Sequence, residues 1–306
     1  MERHTDLDSW ATFLAVTDEG SFTAAAQALG VSVPTVSKTV AALEEHLGLT
    51  LFHRTSRRLS LSAAGEAALA EARVHVTGLA ALAEELRDRD GPPRGLIRMS
   101  APVSFSIAHL SGPLTAFLCD WPEVELDLHL ADETVDLVGG GYDLAVRIGR
   151  LPDSSLRARK LCDIRMPLLA APDYLERRGA PERPEDLSAH ETIAYSQTAE
   201  PLRWTLRHDL QGERTVTISP RLTVDNGDVG LAALRAGLGI AIQPEFFVYD
   251  DLKSGRLVEL LLPWAAPPVG AYVVTPPSRL QPRRVRLLVE ALVAAMRAMP
   301  WSYQAA

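Results

Sequence analysis

The chain has 306 residues, a hydrophobic fraction of 47% and a formal net charge of −8. This length predicts two or three domains, and the hydrophobic fraction is sufficient for each of them to have a core. The first 90 residues carry 8 Lys and Arg against 13 Asp and Glu, a balance of −5. This acidic balance excludes a protein that coats nucleic acid without sequence preference. Any contact with nucleic acid therefore has to be made by a small, local group of residues.

Three short amphipathic helical patterns open the chain. The apolar residues of the first are Leu7, Trp10, Phe13, Leu14 and Val16. The second is an alanine-rich, two-turn pattern that ends at Gly30. The third has apolar residues at helical spacing on one face and polar residues on the other, with Ser32 as the expected N-cap and Gly48 just beyond its end. The apolar positions of the third are Val36, Val40, Leu43 and Leu47. Two short helices joined by such a turn predict a helix-turn-helix.

A basic segment, residues 51–62, follows the third helix and alternates leucines with serines near its end. This pattern predicts a β-hairpin whose turn region holds three arginines. Arginines beside a helix-turn-helix suit contacts with phosphates or with the minor groove of DNA. Two plainer interpretations stay open, because three apolar helical stripes also occur as ordinary core packing and a charged hairpin alone is usually a solvated turn.

An unbroken helical pattern runs from Ala63 to about Arg89 and repeats apolar residues at heptad spacing. The repeating positions, called the linker seam below, are Leu69, Ala72, Val76, Leu79, Ala83 and Leu86. Such a seam predicts a helix that pairs two subunits, and the alternative is packing on its own domain. A helix of this length spans roughly 40 Å, more than a small domain needs. Pro92 and Pro93 end it and mark the clearest domain boundary.

Beyond this boundary strand-like and helical runs alternate, which predicts parallel sheets covered by helices. The first set has strands over 96–100, 124–130 and 144–148 and helices over 104–118 and 134–139. The second set has strands near 167–171, 192–195 and 239–243 and a helix over 229–236. A strand over 271–274 and a helix over 283–296 close the chain.

The sequence lacks the motifs of several enzyme and metal-binding classes. It contains no Gly-x-Ser-x-Gly, Gly-x-x-x-x-Gly-Lys or His-Glu-x-x-His, and the glycines near residue 238 lack the spacing of a dinucleotide motif. His109, His129, His190 and His208 are scattered along the chain. We therefore expect no enzyme, no catalytic residue, no cofactor and no metal site.

The two cysteines, Cys119 and Cys162, stand far apart and lack metal-ligand spacing. Both lie beside apolar residues, so we expect two buried, inert thiols. An oxidant-sensing pair is the alternative.

Four stretches carry a resemblance to a known family: FTAAAQAL at 22–29, ALEEHLG at 42–48, LFHRT at 51–55 and LSAAG at 61–65. In this order and spacing they resemble the winged helix-turn-helix of the LysR-type transcriptional regulators. The resemblance implies an α/β protein with three parts. These are a winged helix-turn-helix over 1–62, a linker and dimerisation helix over 63–90, and a two-lobed effector-binding domain over 91–306 that resembles periplasmic solute-binding proteins.

The same resemblance places lobe one at about 91–162 and 269–306 and lobe two at about 163–268. The chain would cross between the lobes near 161–165 and 263–269. It also implies double-stranded DNA as a partner and self-association as a dimer, with a tetramer as the expected further assembly. RNA polymerase is compatible with the resemblance as an additional partner.

The resemblance further assigns the residues that contact DNA. In the major groove these would be Ser32, Pro34, Thr35, Ser37 and Lys38, and in the wing Arg54, Arg57 and Arg58. Members of the family often carry Gln at the position of Val33 and Arg at that of Lys38. The pattern of base reading in this chain therefore stays open.

Ligands of open α/β sheets lie beyond the carboxyl ends of the strands, which gives the candidate effector residues. They are Ser100, Pro102, Val103, Ser104, Phe105, Arg147, Tyr195, Ser196, Asn226 and Gly227. The helix start after Pro102 and the guanidinium of Arg147 would both suit a small carboxylate. Each candidate has a structural alternative, since the serines can cap a helix, Arg147 can form an ion pair and Asn226 can satisfy a turn.

The sequence therefore predicts a sequence-specific DNA-binding transcriptional regulator controlled by a small-molecule effector that binds between two lobes. A ligand-independent DNA-binding repressor and a solute-binding receptor without a DNA role are the alternatives. Neither a secretory segment nor an apolar run of membrane-spanning length is found, so we expect a cytoplasmic protein without a membrane partner.

Overall fold

A computed structural model describes residues 7–55, 58–87, 91–149, 151, 156–277 and 281–302. The amino-terminal part, called the head below, contains three helices and a hairpin. Its elements are α1 (Leu7–Asp18), α2 (Phe22–Leu29), α3 (Val33–Leu47), β1 (Phe52–Thr55) and β2 (Arg58–Leu61). A long helix, α4 (Ala63–Arg87), leads from the head to the rest of the chain. Among the described residues, no helix combines the length and the apolar character needed to cross a membrane.

The helices of the head begin and end where the sequence predicts. Ser32 caps α3, because its side-chain oxygen accepts a hydrogen bond from the Thr35 amide at 3.3 Å. Gly48 follows α3 in the left-handed conformation, with φ of 66°, where a side chain would be strained. Buried residues from all three helices and from β1 form one core, which includes Phe13, Val40 and Phe52.

The linker seam divides in two along α4. In its first half Leu69, Ala72 and Val76 pack against the core of the head. In its second half Leu79 is 49% exposed. The side chain of Leu86 lies outside the described residues. Packing on its own domain, the alternative interpretation, therefore accounts for the first half of the seam, and the second half is open to a partner.

Lobe one is built on a five-stranded sheet with the order β4-β3-β5-β14-β6. Its strands are β3 (Gly95–Ala101), β4 (Val124–Leu130), β5 (Leu144–Gly149), β6 (Arg157–Met166) and β14 (Ala266–Thr275). Strand β3 pairs in parallel with β4 and β5, whereas β14 is antiparallel to both β5 and β6. The predicted parallel pairing is therefore confirmed for β3, β4 and β5 but not for β14, because the chain enters this sheet again from lobe two in the opposite direction.

The helices of lobe one differ from the predicted ones in two places. The helix predicted over 104–118 is divided into α5 (Val103–Phe105), a π-helical turn (Ser106–Leu110) and α6 (Ser111–Asp120). The wide turn precedes Pro113, which has no N–H to donate to the carbonyl of His109. The helix predicted over 134–139 is wrong, since the Asp136 carboxylate accepts bonds from the Val138 and Gly139 amides and forms a turn. The carboxyl-terminal helix, α10 (Arg283–Arg297), packs on this sheet.

Lobe two is built on a second five-stranded sheet with the order β11-β8-β12-β7-β13. Its strands are β7 (Leu168–Ala170), β8 (Thr192–Tyr195), β11 (Pro220–Val224), β12 (Ile240–Ile242) and β13 (Val258–Glu259). Its helices are α7 (Pro172–Arg178), a 3₁₀ helix (Pro184–Ala189), α8 (Gly227–Arg235) and α9 (Glu245–Ser254). A separate hairpin, β9 (Arg203–His208) with β10 (Gly212–Thr217), was not predicted.

Two long strands connect the lobes. The antiparallel pair of β6 and β14 runs from the partners Arg157 and Thr275 to the partners Met166 and Ala266. Strand β7 of lobe two begins at Leu168, directly after β6. The chain therefore leaves lobe one at the end of β6 and returns at the start of β14, so the two lobes share one two-stranded connection.

Candidate nucleic-acid interface and interlobe site

Helix α3 presents a polar surface beside the core of the head. Val36, Val40 and Leu43 are buried, each with 1% exposure or less. We call the predicted DNA contacts on the other side of α3 the recognition face: Ser32, Pro34, Thr35, Ser37 and Lys38. All of them are exposed except Ser37, which is half-buried. The helix therefore keeps one face for packing and leaves the other accessible to a partner.

The first turn of the recognition face is held by its own hydroxyl groups. Ser32 Oγ lies 2.8 Å from Thr35 Oγ1, in addition to accepting the bond from the Thr35 amide. The helix start is therefore ordered, and Ser32 Oγ already uses some of its possible hydrogen bonds within the cap. Val31 and Val33, beside the cap, are 44% and 39% exposed, so they offer apolar surface at the same end of the helix.

Glu44 connects α3 to the hairpin. Its Oε1 accepts hydrogen bonds from the backbone amides of Leu51 at 2.7 Å and Phe52 at 3.1 Å. The hairpin predicted over 51–62 is confirmed as the antiparallel pair β1 and β2. Arg57 lies outside the described residues, as do the side chains of Arg54 and Arg58.

Four side chains from the two lobes meet in what we call the interlobe cleft: Ser104, Asp132, Asn226 and Asp228. The hydroxyl of Ser104 in lobe one donates to Asp228 Oδ2 in lobe two at 2.5 Å. The amide nitrogen of Asn226 lies 3.4 Å from Asp132 Oδ2 and 3.5 Å from Ser104 Oγ. The candidates Ser104 and Asn226 are therefore brought together by the fold.

The interlobe cleft is acidic. Within the described part of the chain, Asp132, Asp225 and Asp228 have no ion-pair partner. Burial, followed by the nearby charges of Asp132 and Asp225, raises the pKa of Tyr195 to about 12. Tyr195 therefore stays a neutral hydroxyl beside two carboxylates at physiological pH.

The amide at the start of α5 is occupied. The Val103 N–H, which follows the half-buried Pro102, donates to Asp132 Oδ1 at 3.0 Å. Because a carboxylate of the chain itself accepts this bond, the Val103 amide is not available to a carboxylate ligand in this conformation. Asp132 was not predicted as a site residue, although it follows the carboxyl end of β4 and the rule applied to the other strands would have found it.

Among the described residues, neither Arg147 nor Ser100 forms a hydrogen bond with the residues of the cleft. The Arg147 side chain makes no hydrogen bond to Ser104, Asp132, Asn226 or Asp228. It is half-buried, burial lowers its pKa, and one of its terminal nitrogens, Nη2, has no hydrogen-bond partner among the described residues. Ser100 is fully buried on β3, and within the same described part of the chain its hydroxyl has no partner.

The remaining candidates have structural contacts. The amide and hydroxyl of Ser196 both donate to the carbonyl of Val224. A side chain at Gly227 would lie 2.6 Å from the ring of Phe247, so a larger residue here would require this ring to move. Phe105 packs edge-on against Phe246 of lobe two, with 5.0 Å between ring centroids.

Only one cysteine has the predicted environment. Cys162 is buried, and its burial raises the pKa of the thiol to about 11, so it is inert at neutral pH. Cys119 is exposed on α6, so the prediction of a buried thiol is wrong there. Its apolar neighbours in sequence point to other faces of the helix.

Comparison with protein families identifies both parts of the chain. The model of the bacterial regulatory helix-turn-helix protein, lysR family, matches residues 7–66, and that of the LysR substrate binding domain matches residues 90–297. The chain is 37% identical over 290 residues to the HTH-type transcriptional regulator PtxR of Pseudomonas aeruginosa, with 94% of this chain and 92% of that protein covered.

Solved structures of full-length regulators are similar as well. CrgA of Neisseria meningitidis, a LysR-type transcriptional regulator, has a TM-score of 0.61 and 29% identity, covering 94% of this chain and 98% of that one. The virulence activator AphB of Vibrio cholerae has a TM-score of 0.59 and 30% identity, covering 94% and 99%. The chain therefore belongs to the LysR family of DNA-binding transcriptional regulators, with a helix-turn-helix head and a two-lobed substrate-binding domain.

Proposed function

We propose that this regulator reads DNA through the recognition face of α3 and that the hairpin arginines Arg54, Arg57 and Arg58 contact the DNA beside it. The observation that carries this proposal is the division of α3 into a buried apolar face and an exposed polar one. Lys38 is the only basic residue of the recognition face. It supplies a point charge for a phosphate or a donor for guanine, while the hydroxyls of Ser32 and Thr35 contact phosphates or bases.

Titration of the protein's own upstream DNA by fluorescence anisotropy tests this reading surface. Lys38→Ala should weaken binding about fivefold to twentyfold and reduce the slope of log affinity against log salt by about one ion. Lys253→Ala is the matched control, since Lys253 is an exposed lysine in lobe two. If Lys38→Ala and the unaltered protein bound this DNA with equal affinity, the proposal that α3 contacts the DNA would be wrong.

We propose that the effector binds in the interlobe cleft and shifts the equilibrium between closed and open lobes. The direct contacts between Ser104 and Asp228 and between Asn226 and Asp132 support this site, because a ligand between the lobes would replace them. A ligand can shift this equilibrium only through a difference in its affinity for the two arrangements.

The charge of the cleft favours one class of effector. The two supports for a carboxylate, a vacant helix start and Arg147, are weakened because Asp132 bonds to the helix start and Arg147 forms no hydrogen bond with the cleft residues. Acceptors dominate the cleft, so we propose an effector that presents hydrogen-bond donors, such as an amine or a polyol.

A thermal-shift panel of amines, polyols and carboxylates of matched size tests this class. Donor-bearing compounds should raise Tm, and Asp132→Asn should remove their effect. Asp209→Asn, at an exposed position of lobe two, is the control. Stabilisation by carboxylates that survives Asp132→Asn and is lost in Arg147→Ala would contradict the proposal and place the effector against Arg147.

We also propose that the protein acts as a homodimer, with a tetramer as the further assembly, held in part by the second half of α4. The exposed Leu79 supports this arrangement.

A further inference from the structure

A cavity separates the head from lobe one. It has a volume of about 420 Å³, is partly open to solvent, and is lined by α1, α4, β3 and the segments around Tyr142 and Pro282. This volume lies in the range of small-molecule sites. The cavity does not include any residue of the interlobe cleft, so a ligand here would not compete directly with an effector between the lobes.

The cavity wall is amphipathic. Apolar side chains cover most of it: Ala11, Leu14, Ala15, Val74, Val76, Leu96, Val138, Pro276, Pro282 and Val285. Charged groups from both parts of the molecule contribute the rest: Asp18 and Arg73 from the head side, and Arg98, Asp143 and Arg284 from lobe one. Mostly apolar walls with a few convergent polar groups are the usual composition of a ligand site.

Arg73 is the most buried of these charged groups. Its side chain is 9% exposed, and its guanidinium forms a bidentate pair with Asp18 at 2.9 and 2.5 Å. One terminal nitrogen also lies 3.4 Å from the carbonyl of Gly139 in lobe one. Its Nε is buried and has no hydrogen-bond partner within the described part of the chain. A buried donor without a partner costs free energy, which an acceptor on a ligand would recover.

Arg73 lies close to Gly141 of lobe one. A side chain at Gly141 would lie 2.9 Å from a terminal nitrogen of Arg73, and Gly141 also has a positive φ of 70°. The guanidinium of Arg73 therefore packs against the backbone of lobe one at Gly141, where the positive φ itself favours glycine.

The charges around the cavity do not balance. Three arginines line it against two aspartates, which leaves an excess of one positive charge among the described lining residues. Asp18 is already paired with Arg73, and its contact with Arg98 is loose, at 3.8 Å. The Arg98 side chain is 38% exposed and can turn towards a ligand.

We propose that this cavity is a second ligand site, which takes a small amphipathic anion with its carboxylate or sulfonate at Arg98 and Arg73 and its apolar part against α1 and α4. Such a ligand contacts the head, the linker helix and lobe one together. It therefore stabilises the docked position of the head relative to lobe one, and the site can regulate DNA binding independently of the interlobe cleft.

Isothermal titration of the full chain with octanoate, and with octanol as the uncharged match, tests the site. Octanoate should bind about tenfold more tightly than octanol, and Arg98→Gln should remove this difference. Val74→Phe should abolish binding of both by filling the cavity. Ala180→Phe, at an exposed position of lobe two, should leave both affinities unchanged.

Hydrogen exchange locates the bound probe. Octanoate should slow amide exchange in residues 11–18 of α1 and 73–77 of α4 and leave residues 226–231 unaffected. Absence of octanoate binding at millimolar concentration would overturn the proposal, as would binding that persists in Val74→Phe. Protection confined to the interlobe cleft would overturn it as well.

Discussion

At the scale of single residues, the recognition face depends on a side chain outside it. Glu44 accepts two backbone hydrogen bonds from the first residues of the hairpin, and both involve a charged acceptor. Such bonds are about twice as strong as neutral ones. The sequence around Glu44 resembles the family pattern, but the role of the carboxylate as the joint between α3 and β1 follows only from the structure.

We predict that Glu44→Ala loosens the hairpin without unfolding α3. The loss of two charge-assisted bonds should destabilise the head by about 1.5–3 kcal/mol, and the amides of Leu51 and Phe52 should exchange with solvent at least tenfold faster. Exchange measured by NMR or mass spectrometry checks this. Glu45→Ala is the control, since Glu45 is the exposed neighbour on the same helix. Equal exchange in both variants would show that other contacts hold the joint.

Two tyrosines respond to alkaline pH. Burial, followed by a hydrogen bond to Glu191 and its charge, raises the pKa of Tyr174 to about 12. The pKa of Tyr195 is raised to about 12 by burial and by Asp132 and Asp225. Because the folded pKa exceeds the ordinary value of 10, both groups contribute stability that is fully present below pH 10 and is lost as the pH rises towards 12.

We predict that these two of the six tyrosines ionise late. Absorbance at 295 nm should keep rising between pH 11 and 12, by an amount that corresponds to about one phenolate, because each of the two groups is only half ionised at pH 12. Tyr195→Phe should remove half of this late change and shift alkaline unfolding to higher pH. A single titration step near pH 10 in the folded protein would contradict the proposed environments of both residues.

At the scale of elements, the sequence predicted the helix ends and strands that are determined by nearby residues. The caps Ser32 and Gly48, the strand 124–130 and the hairpin after α3 were predicted from sequence because side-chain chemistry or alternation determines them locally. The helix predicted over 134–139 failed because the Asp136 side chain bonds to the backbone and favours a turn. The β9–β10 hairpin was missed, since its apolar alternation is short: β9 offers only Trp204 and Leu206, and β10 only Val216.

The site residues show a similar division. The carboxyl-end rule found Ser104 and Asn226, which meet across the interlobe cleft, because it depends only on strand direction. Arg147 satisfies the same rule but forms no hydrogen bond with the cleft residues. The face on which its side chain lies depends on the register of β5 with β14, and no local signal determines that register.

Helix α4 carries a prediction about assembly. Leu69 and Val76 pack against the core of the head, whereas Leu79 lies beyond this core and is half-exposed. We predict that Leu79→Glu weakens self-association at least tenfold in analytical ultracentrifugation and leaves the Tm of the dissociated subunit within about 2 °C. Leu210→Glu, at a position that is 92% exposed in lobe two, is the control. An unchanged dimer in Leu79→Glu would place the interface outside the second half of α4.

At the scale of the whole molecule, the lobes contact each other on two sides of one segment. Residues 102–110 present Ser104 to the interlobe cleft and present Phe105 and His109 to the aromatic ring of Phe246 in lobe two. The ring nitrogen of His109 also bonds to the Phe246 carbonyl at 3.2 Å. Movement of one lobe about the β6 and β14 connection would therefore break the polar and the aromatic contacts together.

This shared dependence predicts coupling between the two sides. Phe246→Ala should destabilise the protein by about 3 kcal/mol, since the side chain is 8% exposed, and Ser104→Ala by about 1–2 kcal/mol. The double variant should lose at least 0.5 kcal/mol less than the sum, because lobes already separated by one substitution have less contact to lose through the other.

Equilibrium urea unfolding of the four proteins in this cycle provides the measurement. Ser104→Ala combined with Tyr174→Phe is the control, since Tyr174 packs inside the core of lobe two and its loss should add to that of Ser104. If Phe246→Ala and Ser104→Ala were additive within about 0.3 kcal/mol, the two sides would open independently. An effector bound in the cleft would then move the residues around it without moving the lobes as bodies, and its signal could not reach the head through the β6 and β14 connection.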